Sequence, residues 1–212
     1  MNNFLKQWDG DSDNPKLGIG FHHAPPFKQQ LSSAIYRIKV QHNKLESAAL
    51  RMQQHDKEIF AKCVSAQMTH DTARASMYAN ECAEVRKIAK VTLQSQLALE
   101  QVALRLETIE EFGDIAHMMG PVASVVRSVK TQISGVIPEV GYELSEVGEL
   151  LNSFVVEAGE PMTESYDVGA SNEEARKILG QANAIAEEHI KDKFPELPIG
   201  SQNQRLGESL GH

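Results

Sequence analysis

The sequence predicts an all-α protein: a long antiparallel, coiled-coil-like helical hairpin with shorter helices packing back on it. Three observations carry this. Aromatic residues make up only 6% of 212 residues. The 41% hydrophobic content comes mainly from Ala, Leu, Val, Ile and Met, and with so few of the aromatics that favour pleated sheet a β-rich fold is not expected. Two stretches, Phe27 to about Met68 and Ala73 to Phe112, hold neither Pro nor Gly, and apolar residues recur in the first at alternating steps of four and three.

Residues 1–26 are polar, with Gly and Pro at Asn14-Pro15, Gly18, Gly20 and Pro25-Pro26. They read as an irregular leader. Within it, Phe4, Leu5 and Trp8 would share one face of a single helical turn, the pattern of a small membrane-inserting anchor.

The first long helix follows. Its 4-3 positions are Leu31, Ile35, Ile38, His42, Leu45, Ala49, Met52, Asp56, Ile59, Cys63 and Ala66. Nine of these eleven are apolar, which makes a sustained coiled-coil seam. At 1.5 Å per residue the helix would be about 63 Å long, which suits an extended hairpin better than a compact globule. His42 and Asp56 interrupt the seam as polar positions that fix register. Met68-Thr-His-Asp-Thr72 reads as a turn, with Asp71 or Thr72 as N-cap.

In the second long helix the seam is weaker. Ile88, Val91, Leu93, Leu97, Val102, Leu104, Ile109 and Phe112 lie off it. Its later half is therefore apolar on more than one side and must meet a further partner, a later helix or a second molecule. Gly120-Pro121 predicts a break, with Pro121 in the first turn of a helix reaching about Ile133. Pro138 opens a helix to about Glu157 with the face Val140, Leu144, Val147, Leu151 and Phe154. Residues 158–170 form a linker. Ser171-Asn-Glu-Glu174 is a capping box that opens a helix over 171–193, ended by Pro195 and Pro198. Residues 200–212 read as a disordered tail.

Charge is divided unevenly. The formal net charge is −8, yet residues 1–130 hold 16 basic and 14 acidic side chains, whereas residues 131–212 hold 5 and 15. The first long helix has seven basic and three acidic residues. Arg37, Lys44 and Arg51 recur every seven positions, with Lys57 near the continuation. This stripe lies opposite the apolar seam. It suits anionic lipid headgroups, at about 1 kcal/mol per basic residue near the surface, or docking of the acidic stretch 139–167. Nucleic acid is not expected, because no aromatic residues interleave with the stripe.

Several classes of chemistry find no support. There is no phosphate-cradling Gly-x-x-x-x-Gly-Lys-Ser/Thr loop, no Gly-x-Gly-x-x-Gly and no Gly-x-Ser-x-Gly elbow. A single Asp114-x-x-His117 pair falls short of the paired Glu-x-x-His motifs of helical-bundle metal sites, and His22-His23 reads as solvated leader. No metal, cofactor or catalytic residue is expected. Cys63 and Cys82 read as small packing residues, too few for a disulfide scaffold. No run approaches the ~20 apolar residues of a membrane span, and the first residues lack the order of a signal peptide. A cytosolic chain with reduced thiols is expected.

The order of long basic helix, sharp turn, long mixed helix, short helices and acidic tail resembles the ESCRT-III family in its archaeal cell-division, CdvB-like branch. Two stretches strengthen the resemblance: Gly120-Pro-Val-Ala-Ser-Val-Val-Arg-Ser-Val-Lys130 with Val136-Ile-Pro-Glu139, and Ala182-Asn-Ala-Ile-Ala-Glu-Glu-His-Ile-Lys-Asp-Lys-Phe-Pro-Glu-Leu-Pro198. The likeness spans about residues 27–198. It implies an ESCRT-III-like core over 27–157, a regulatory helix over 171–193 and a motif with tail over 194–212. It also implies reversible polymerisation, alone or with paralogues, on membranes during division, at the inner face of the cell membrane.

The same resemblance implies recruitment of a AAA ATPase through its MIT domain. The matching stretch here is Phe194, Pro195, Glu196, Leu197, Pro198 and Ile199. Two prolines favour an extended peptide whose apolar side chains can fill grooves. Glu139, Glu143 and Glu146, with Val140, Leu144 and Val147, are then candidates for an autoinhibitory or assembly face. The other reading of the same pattern is a soluble coiled-coil adaptor that dimerises through the first seam without touching membrane.

Overall fold

The computed structural model describes residues 26–112, 115–157 and 168–197, and every regular element among them is an α-helix. In chain order these are α1, Phe27–Met68; α2, Thr72–Phe112; α3, Ile115–Ile133; α4, Pro138–Glu157; and α5, Val168–Lys193. The described residues fall into two compact units. One holds the chain up to His42 together with Ala98–Leu179; the other holds Asn43–Leu97 and the chain from Gly180.

In the second unit α1 and α2 are joined by a three-residue turn. The His70 N–H donates to the Gln67 carbonyl (3.0 Å) and the Asp71 N–H to the Ala66 carbonyl (2.9 Å), the paired bonds of a Schellman cap. His70 takes φ = 56°, the left-handed conformation that glycine normally supplies and that His tolerates better than most residues. Asp71 is also the N-cap of α2, its carboxylate accepting the Arg74 backbone N–H at 3.0 Å. The hairpin therefore reverses with hardly an unpaired backbone group. Beyond the turn the seam is built from small residues. Ala48, Cys63 and Ala66 of α1 are buried, as are Ala75, Ala79, Cys82 and Ala89 of α2, and Ile59, Cys82 and Val85 form one cluster.

The first unit buries larger side chains. Leu31, Ile35 and Ile38 of α1 and Leu99, Val102, Leu106 and Ile109 of α2 are covered. At the rim, Ser32 donates to Glu110 and Lys39 pairs with Glu107. α3 and α4 form a helical pair. The N–H groups of Val136 and Ile137 both donate to the Ile133 carbonyl (2.9 and 2.8 Å), and Gly141 follows at the crossing. A Cβ there would lie 2.9 Å from the Ser134 Cα, so only glycine fits. The α4 face Val140, Leu144, Val147, Leu151 and Phe154 is fully covered. The Phe154 ring meets Phe27 of α1 edge-on, with centroids 4.7 Å apart.

Two boundaries depart from the sequence reading. α3 begins at Ile115 and carries Pro121 inside it, so Gly120-Pro121 is not a break. An interior proline costs about 3 kcal/mol. Burial of Met119, Val122, Val125, Val126, Val129 and Ile133, at about 1.5–3 kcal/mol each, outweighs it. α5 begins at Val168 rather than at the capping box. Glu174, the acidic member of that box, pairs instead with Arg105 of α2. The expected extra apolar side of α2 is present in part. Val102 and Ile109 are buried, whereas Ile88 and Leu104 are exposed.

Candidate functional site: the C-terminal segment and the charged faces

The end of α5 turns onto the hairpin within the second unit. The Phe194 N–H still donates to the Ile190 carbonyl (3.1 Å). Pro195 has no N–H to continue the ladder, and 195–197 are irregular. Phe194 is nonetheless buried, and Leu197 packs against the Ile59–Cys82–Val85 cluster beside Met52, Phe60 and Tyr78.

Arg86 of α2 is the centre of this arrangement. Its Nε donates to Asp56 Oδ1 at 2.7 Å and its Nη2 to Asp56 Oδ2 at 3.0 Å, a bidentate fork. Its Nη1 donates to the Pro195 carbonyl at 2.6 Å. The guanidinium lies 5.8 Å from the Phe60 ring centroid and 5.6 Å from that of Phe194, within cation–π range of both. The Asp56 side chain is only 1% exposed and that of Arg86 14%. The acid that interrupts the apolar seam is therefore neutralised by one cation, and that cation also holds the segment after α5.

Neighbouring groups are inert or positional. Burial pushes the Cys82 thiol up to about 11, with the Asp56 charge adding to it, and raises Cys63 as well. Both stay protonated at neutral pH and are poor nucleophiles. One turn along α2, Lys90 pairs with Glu187 of α5 at 2.8 Å. The hydrogen bond from Lys90 holds that carboxyl below the usual carboxylate range. In the other unit α5 is tied to α2 by Arg105 and Glu174.

The charged faces are divided. Arg37 of α1 pairs with Glu143 of α4 at 3.1 Å, so the first residue of the basic stripe meets the acidic helix. Lys44 is half-buried, and Arg51 and Lys57 are exposed. Val140, Leu144 and Val147 are buried beneath Glu143, while Glu139 and Glu146 face outward. In the C-terminal motif Phe194 and Leu197 are docked, and Pro195 and Glu196 are exposed. Phe4, Leu5, Trp8, Pro198, Ile199, His22, His23 and Asp114 lie outside the described residues. Among those residues no group of three or more His, Cys, Asp or Glu could hold a metal ion, and no helix is long and apolar enough to cross a membrane.

Arg86 escapes a reading based on apolar periodicity. Its signal is nevertheless present. An acid in a buried seam demands a cation, and the turn at Thr69–Asp71 sets an antiparallel register. That register puts Cys63 against Ala75 and so Asp56 near the 82–86 turn of α2.

The chain is similar to three proteins of Sulfolobus acidocaldarius. Cell division protein B1 is 44% identical over 202 residues, covering 95% of this chain and 92% of that protein. Cell division protein B is 32% identical over 187 residues, covering 86% and 72%. Cell division protein B3 is 25% identical over 117 residues, covering 55% and 68%. No family model matches the chain, and no solved structure matches it.

Proposed function

Because the chain belongs to the cell division protein B family, the archaeal cell-division branch of ESCRT-III, we propose that it is a membrane-remodelling polymer subunit, not an enzyme. Its role is in cell division. In the proposed cycle it assembles into filaments, with copies of itself or with paralogues, at the membrane of the division site. A AAA ATPase then disassembles them by gripping the C-terminal motif through its MIT domain.

One observation carries this reading beyond the family's name. The basic stripe is half engaged: Arg37 is held by Glu143, while Arg51 and Lys57 remain exposed. A face that is partly held by the chain's own acids and partly open can exchange an internal partner for an anionic surface. At about 1 kcal/mol per basic residue the exchange is small enough to be reversible. That three relatives named as cell division proteins occur in one organism supports assembly among paralogues.

Two variants test the reading. Arg51→Glu with Lys57→Glu is expected to reduce co-sedimentation with anionic vesicles about tenfold or more, leaving helicity unchanged. The attraction lost is about 1 kcal/mol for each of the two basic residues. Unchanged vesicle binding favours the soluble adaptor. Leu197→Asp is expected to weaken binding of the ATPase MIT domain without loss of helix content, since it places a charge where an apolar groove is filled. Equal affinity in a titration refutes the motif.

A further inference from the structure

At the turn between α1 and α2, open apolar surface, positive charge and a closed backbone coincide. Met68 ends α1 with 77% of its surface exposed, and no large hydrophobic residue among those described is more open. Met77 of α2 is 56% exposed. Single exposed apolar residues need no explanation, but the surroundings of these two are unusual. From Ile59 to Asn80 the only acidic residue is Asp71, against Lys62 and Arg74, both exposed. The Asp71 charge is spent locally: its carboxylate accepts the Arg74 backbone N–H at 3.0 Å and pairs with the Arg74 guanidinium at 3.3 Å. The backbone is equally spent. The N–H groups of Thr69, His70, Asp71 and Thr72 all donate to nearby carbonyls. The Thr69 hydroxyl donates back to the Ser65 and Ala66 carbonyls at 3.2 and 3.1 Å. A lipid boundary penalises each polar backbone group left unpaired, and this reversal leaves hardly any.

We propose that the α1–α2 tip inserts Met68 and Met77 into the headgroup–acyl boundary of an anionic bilayer, with Lys62 and the remaining donors of Arg74 at its phosphates. This rests on the membrane reading above and gives that contact a place and a depth. Met68 is at the tip itself, and Met77 lies about 8 Å along α2 from Thr72 at 1.5 Å per residue. Both are within the depth of about 5–10 Å to which apolar faces sink at such a boundary. The next acids, Glu58 and Glu81, are exposed and stand about 14–15 Å from the helix ends, clear of the apolar layer. Lys62 stands about 9 Å back from Met68, at headgroup level, and the long stem of Arg74 lets its charge reach the same level. Lys62 also lies about three turns beyond Arg51 and so continues that exposed basic face to the tip.

The test uses the full-length chain and vesicles of equal parts phosphatidylcholine and phosphatidylglycerol. Met68→Cys is labelled with a polarity-sensitive fluorophore; the native Cys63 and Cys82 are buried, so the label reports the tip. Leu104→Cys, at an exposed position of the other unit, carries the same label as a reference. On vesicles the label at position 68 is expected to shift to the blue and to be quenched by lipids spin-labelled in the acyl chain, while the label at 104 keeps its aqueous spectrum. Met68→Asp with Met77→Asp is expected to weaken vesicle binding about tenfold or more, as for apolar side chains of this size returned to water, with helicity unchanged. Met68→Leu with Met77→Leu should bind as the parent chain does. Vesicle binding with the label at 68 unshifted and unquenched overturns the proposal and leaves the membrane reading standing. A blue shift that appears without lipid and escapes the lipid quencher marks a contact with a second copy and overturns it as well. A parent chain that binds no vesicle refutes the membrane reading and the inserted tip together.

Discussion

Asp56 and Arg86 show how one buried charge organises its surroundings. The Asp56 side chain is 1% exposed in a seam of Ile, Cys and Ala, where an unpaired carboxylate would be untenable. Its stability depends on both partners together. Asp56→Ala leaves a largely buried guanidinium without its anion and is expected to cost about 3–5 kcal/mol in a denaturant melt. Replacing both residues, Asp56→Leu with Arg86→Met, should cost under about 1 kcal/mol, because buried pairs are often matched by apolar packing. A single substitution no worse than the double would show that the pair does not act as a unit. At this scale the sequence is half legible. Asp56 stands out as a polar break in a counted seam. Arg86 does not, because it sits in a helix whose apolar pattern is diffuse, and only the register of the turn points to it.

Helices form where periodicity is strong and start where tertiary contacts allow. α1 and α4 have the extents that their 4-3 patterns indicate. α3 and α5 begin earlier than the local punctuation at Pro121 and Ser171 suggests. Local rules price only the nearest turn, whereas burial of the α3 valines and the Arg105–Glu174 pair act from outside it. The same contrast gives a test on one helix. In α4, a Cβ on Gly141 would meet the Ser134 backbone at 2.9 Å, whereas one on Gly148 would reach only Val126 Cγ1 at 3.9 Å. Gly148→Ala is expected to stabilise by up to about 1 kcal/mol through helix propensity. Gly141→Ala should destabilise by about 1–3 kcal/mol from forced displacement of the α3–α4 turn. Melting temperatures moving in the same direction would contradict that crossing.

On the scale of the whole molecule, the large buried side chains are unevenly shared. Among the described residues, of the twelve largest fully buried side chains only Leu45 belongs to the unit formed by Asn43–Leu97 and the chain from Gly180. That unit relies on alanine, cysteine and the Asp56–Arg86 pair, and so gains less from burial per residue. It is expected to open first, with amides of 75–90 exchanging faster than those of 99–109 and 122–133. Uniform protection across these segments would refute this. The helical class and the division family are legible from seams, order and motifs. Docking of the acidic stretch on the basic stripe is legible as one of two alternatives, but the pairing of Arg37 with Glu143 in particular, and the engagement of the C-terminal segment by Arg86, are not, since both depend on register between distant elements.

The central claim is that this chain polymerises on membranes. The most direct measurement is electron microscopy of purified full-length protein on vesicles of graded anionic lipid content. The expected result is ordered filaments on anionic vesicles, increasing with anionic lipid and diminished by salt. Bare vesicles at every composition, with the protein dispersed as single soluble particles, would contradict it.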